Sequence, residues 1–63
     1  MSVYYGRFKT KEGDWKFRGP YPGLLIAIEE MKFYGRDGGS EIITDEELIK
    51  RIDKGEIKLD EYC

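Results

Sequence analysis

Val3-Tyr4-Tyr5-Gly6-Arg7-Phe8-Lys9 and Trp15-Lys16-Phe17-Arg18 flank the segment Thr10-Lys11-Glu12-Gly13-Asp14. Both flanks alternate aromatic or apolar residues with polar ones, which is the period of a strand. Gly13 suits the positive φ that a tight turn needs. The stretch therefore predicts a β-hairpin over residues 3–18. A turn centred on Glu12-Gly13 pairs Thr10 with Trp15, Phe8 with Phe17 and Gly6 with Gly19. In that register Tyr4, Phe8, Trp15 and Phe17 share a core face. Tyr5, Arg7, Lys9, Lys16 and Arg18 share the opposite one.

The chain after the hairpin reads as punctuation and then a helix. Gly19-Pro20-Tyr21-Pro22-Gly23 ends the strand, because neither proline can donate to a ladder. Pro22 fits the first turn of a helix over 22–34. Leu24, Ala27, Ile28, Met31 and Tyr34 make its apolar stripe, and Gly35 suits a left-handed stop. Gly35-Arg36-Asp37-Gly38-Gly39-Ser40 is a loop, and Glu41-Ile42-Ile43 a short strand.

Thr44-Asp45-Glu46-Glu47 is the sharpest local signal in the chain. It predicts a capping box, with Thr44 bonding the backbone of Glu47 and the Glu47 side chain returning to Thr44. Leu48, Ile49 and Ile52 give the second helix its apolar face, and Gly55 ends it. Glu56-Ile57-Lys58-Leu59 alternates and can add a last strand. The expected fold is α+β, one small domain over 1–63. Its sheet is small and antiparallel, with two helices packed on one face, in the order ββαβα(β).

Composition bounds the chemistry. The chain has 63 residues, no His and one Cys, with 11 Lys+Arg against 13 Asp+Glu. Leu, Ile, Val and Phe supply 15 of the 63 residues, above the roughly 20% below which disorder is expected. A folded but thin domain follows, since a chain this short buries only about 60% of its unfolded surface. A lone Cys63 cannot staple a small secreted domain, so a cytoplasmic setting is expected. The N-terminus reads as no signal peptide, Ser2 as no myristoylation site and Cys63 as no prenylation site. The longest apolar run, Leu24 to Ile28, is too short to span a bilayer.

Catalysis and cofactors have no foothold. The commonest acid/base near neutral pH is missing. Cys63 lacks a neighbouring base. The carboxylates of the capping box already have structural work. Neither the zinc spacings, the calcium loop nor the phosphate loop occurs. The reading is a non-catalytic protein without metal or cofactor.

Two surfaces remain. Leu25, Ile26 and Phe33 project away from the inner stripe of the first helix, and Tyr21 is an aromatic between two prolines. Unless the second helix covers them, they form an apolar patch of the kind that marks protein contacts. The other surface is the cationic hairpin face, with Arg7, Lys9, Lys16 and Arg18 on phosphates and Tyr5 stacking on bases. An overall charge of −2 argues against a general nucleic-acid binder. The expected function is a small regulatory module docking on another protein, or on a second copy of itself. Binding of single-stranded nucleic acid or phosphate on the hairpin face is the alternative.

Overall fold

The computed structural model describes residues 3–63. Met1 and Ser2, on which part of the N-terminal reading rests, lie outside the described residues. The elements are β1 (Tyr4–Lys9), β2 (Trp15–Tyr21), α1 (Leu24–Tyr34), β3 (Ser40–Thr44), α2 (Asp45–Asp53) and a 3-10 turn (Leu59–Glu61). One antiparallel sheet has the strand order β2-β1-β3. The α+β class and the order β-β-α-β-α match the expectation.

The hairpin closes one residue differently from the expected turn. Gly13 N–H donates to the Thr10 carbonyl at 2.9 Å, and Thr10 N–H donates to the Asp14 carbonyl at 2.8 Å. Gly13 holds φ 93°, the left-handed position of a three-residue loop. The loop is thus Lys11-Glu12-Gly13 rather than Glu12-Gly13 alone. Lys9 pairs with Trp15, Phe8 with Lys16, Arg7 with Phe17 and Gly6 with Arg18. Directly opposed residues point to the same side, so this one-residue slip turns all of β2 over.

A bulge then restores the original parity at the end of β2. Gly6 pairs with Arg18 but Tyr4 with Tyr21, with the irregularity between. Gly19 and Pro20 together oppose Tyr5, and the extra residue returns Tyr21 to the side of Tyr4.

Two cores result, one on each face of the sheet. Phe8, Tyr21, Ala27 and Met31 form the first, joined by Tyr4, Tyr34 and Ile42. Phe17, Ile43, Leu48 and Ile57 form the second, joined by Tyr5 and Ile52. Thus α1 covers one face and α2 the other, which corrects the expectation of both helices on one face. The slip explains it: Phe17 no longer faces the same way as Phe8, so both faces carry apolar groups and each needs a cover. Trp15, expected in the core, is 37% exposed, with the Arg7 guanidinium 4.6 Å above its ring.

Close approach sets α1 on the sheet. A Cβ on Gly6 would collide with the Met31 side chain, and one on Gly35 would lie 2.6 Å from Ser40 Cβ. Gly35 itself has φ −96°, so it ends the helix by fitting a narrow space and not by a left-handed turn. Helix α1 begins at Leu24 with Gly23 as its cap, leaving Pro22 ahead of it.

Thr44 caps α2 as expected, its Oγ1 accepting from Glu47 N–H at 3.2 Å. The return half of the box is absent, because the Glu47 carboxylate accepts from Arg51 Nε at 3.1 Å. The last strand does not form. Ile57 is buried, but Leu59 is 72% exposed, so the inward alternation a strand would need breaks after one residue. The C-terminal segment instead lies along β2. Tyr62 bridges Phe17 in parallel, and Cys63 N–H donates to the Phe17 carbonyl at 2.9 Å.

Candidate protein-docking surface

Helix α1 carries apolar residues on its outer side as well as its inner one, with Glu29, Glu30 and Lys32 among the outer ones. Its inner side is filled by Ala27 and Met31 against the sheet. With α2 on the far face, nothing in the described chain covers its outer side. Leu25, Ile26 and Phe33 are exposed at 77%, 49% and 59%. Their helical spacing puts them around Glu29 on one face. A helix hydrophobic on all sides normally lies buried.

Charged groups lie within and beside this face. Lys32 Nζ lies 3.6 Å from Glu29 Oε1. Arg36 stacks 5.1 Å from the Phe33 ring centroid and pairs with Asp37 at 3.7 Å. The Phe33 ring meets Tyr34 edge-on at 5.1 Å. These pairs are exposed and contribute little to stability.

The fourth expected contact residue is elsewhere. Tyr21 is buried at 8% exposure in the α1-side core, so it cannot serve as a surface aromatic. The bulge is the reason, since it carries Tyr21 inward beneath the helix. Burial pushes its phenol above the ordinary value, partly offset by the positive charge of Arg18, and its hydroxyl has no hydrogen-bond partner among the described residues.

The expected cationic face is divided between the two sides. Lys16 and Arg18 share the α1 side with Phe8 and Gly6, whereas Arg7 and Lys9 share the α2 side with Phe17 and Trp15. Each arginine is also engaged. Arg18 stacks 4.7 Å from the Tyr34 ring and reaches the Cys63 carbonyl at 3.4 Å. Hydrogen bonding to Cys63 holds its guanidinium above the usual value. Tyr5 packs into the second core, edge-on to Phe17 at 6.2 Å, and offers no stacking platform. The single basic aromatic face on which nucleic-acid binding was argued does not form.

Sequence reasoning missed a third surface. An open groove of about 380 Å³ runs between α1 and β3, lined by Ile28, Met31, Lys32 and Arg36 from the helix side and by Glu41 and Ile42 from the strand. It lies beside the outer edge of β3, the strand that ends the sheet on this side. The order of strands was the missing information, because alternation alone permits several.

Among the described residues, no group of three or more metal-ligating side chains is gathered, and no helix is long and apolar enough to cross a membrane. Comparison with protein-family models, with curated proteins and with solved structures finds no match to this chain.

Proposed function

We propose that the protein is a non-catalytic intracellular module that regulates another protein by docking on it through the outer face of α1. Leu25, Ile26 and Phe33 are the anchors. Three large apolar side chains, open to water on a helix whose inner side is already packed, carry this reading. Holding them exposed in so small a domain is unfavourable unless a partner removes them from water.

The surface fits an amphipathic helix of the partner. Such a helix lays apolar residues at helical spacing across Leu25, Ile26 and Phe33. A basic group on it would meet Glu29 and Glu30, and an acidic group would meet Lys32 and Arg36. Those charges set orientation and encounter rate more than affinity.

The test is affinity capture followed by titration of the purified captured protein. Wild type is compared with a Leu25→Glu, Phe33→Glu double variant. A protein that binds wild type directly and loses at least about 100-fold in affinity to the variant supports the reading. Equal binding by both chains overturns it.

A further inference from the structure

The two edges of the sheet are treated differently. Along β2 the chain covers its own edge, through the Tyr62 bridge and the Cys63 N–H. Along β3 no described residue does so. We propose that the protein pairs with a second copy of itself along the outer edge of β3, joining two three-stranded sheets into one of six strands about a two-fold axis at Ile42.

The backbone directions follow from two bonds. Lys9 N–H donates to the Gly39 carbonyl at 3.1 Å, and Asp45 N–H donates to the Val3 carbonyl at 3.2 Å. Both bonds keep the register that pairs Arg7 with Glu41 and Tyr5 with Ile43. In an antiparallel ladder the hydrogen-bonded positions alternate. Gly39, Glu41, Ile43 and Asp45 therefore face β1, and Ser40, Ile42 and Thr44 turn their amides outward. Thr44 commits its carbonyl to the first turn of α2. Among the described residues, the Ile42 N–H and carbonyl meet no backbone partner outside the regular elements.

This edge is complementary to itself. An antiparallel pair centred on Ile42 lets each Ile42 exchange both bonds with Ile42 of the second copy. Each Thr44 N–H then meets a Ser40 carbonyl of the second copy. The side chains agree as well. Ile42 points to the α1 side and lines the groove with Ile28 and Met31. Directly opposed residues of such a pair lie about 5.5 Å apart at Cα, so Ile42 of the second copy arrives at the mouth of that groove.

Charge favours a copy of this chain. The strand Ser40-Glu41-Ile42-Ile43-Thr44 carries one charge, and Glu41 is already held by Arg51 of α2. Two such strands approach without an unbalanced like charge. The strand lacks the Pro, Lys or bulge by which open edges normally prevent pairing.

The pairing does not rest on the docking face, since Ile26 and Phe33 point away from β3. Its test is sedimentation between about 1 and about 500 µM, with amide exchange on wild type at both ends of that range. The expected result is a monomer that becomes a dimer, with exchange at Ile42 slowed about 100-fold on dimerisation. Ile42→Pro removes one outward donor and should stay monomeric, whereas Leu25→Glu with Phe33→Glu should still dimerise. Should Ile42→Pro fail to fold, exchange at Ile42 in wild type decides. A strict monomer, a dimer with Ile42 still in fast exchange, or a dimer lost only in the α1 variant overturns the proposal.

Discussion

Arg7 stands directly opposite Phe17 across the hairpin, and this one pairing separates the four cations of the N-terminal half. Lys16 and Arg18 go beneath α1, while Arg7 and Lys9 go to the face of α2. The consequence reaches the helices, because an apolar ring on each side of the sheet demands a helix on each side. With the helices apart, the outer side of α1 is left uncovered among the described residues.

The Lys11-Glu12-Gly13 loop fixes that pairing, so its glycine is worth testing. Gly13 has φ 93° and nothing within 4 Å of an added Cβ, so the cost of a side chain there is conformational alone. Gly13→Ala should lose about 1 kcal/mol of stability in denaturant unfolding, with docking on a partner unchanged. No loss would mean that the loop is not held in this shape.

Gly6 tests the α1 contact. Its added Cβ would meet Met31, which is buried at 3% exposure. Gly6→Ala should cost about 1–3 kcal/mol through overpacking. Met31→Ala in the same chain should recover part of that loss, as expected of residues in direct contact. Simple additivity in a double-mutant cycle would contradict the packing.

Thr44 carries the half of the capping box that forms. Thr44→Ala should destabilise the protein by about 1 kcal/mol, read from thermal or denaturant melts. Glu47→Gln should cost less, because the Glu47 carboxylate meets Arg51 at a partly open site. If the Glu47 change were the more damaging, the return bond to Thr44 would have to exist after all.

Tyr21 gives a pH signature. Burial, partly opposed by Arg18, pushes its phenol above the ordinary value, so the folded state holds this proton longer than the unfolded chain. Its contribution to stability is complete below the usual phenol value of about 10. It is lost as pH rises from there through the higher folded value. Tyr21→Phe should therefore soften the fall in stability as pH rises above about 10. An identical fall in both proteins would show that Tyr21 is not the group responsible.

Much of the architecture was legible because local chemistry settles it. The alternating flanks gave the hairpin, Thr44 gave the start of α2, and Pro22-Gly23 gave the break before α1, although β2 runs on through Gly19 and Pro20 to Tyr21 where the prolines were expected to end it. Leu25, Ile26 and Phe33 were readable as leftovers, since one sheet cannot cover a helix on every side. What was not legible turned on single residues. Lys11 belongs to the loop rather than the strand, and that alone inverts the faces of β2. The bulge at Gly19-Pro20 inverts them again, which is why Tyr21 looked like a surface ring and is a core one. Glu41–Ile43 was readable as a candidate open edge, but its place at the end of the sheet depends on strand order, which alternation does not encode.

The most direct test of the docking account is a protection footprint of the protein bound to its captured partner, by hydroxyl-radical labelling. Side chains on the outer face of α1 should be protected together, with Leu25 and Phe33 labelled at least about fivefold less than in the free protein. Trp15, exposed on the other side of the sheet, and Leu59, exposed on the 3-10 turn, should be labelled equally in both states. Protection at Trp15 and Leu59, with Leu25 and Phe33 unchanged, would contradict it.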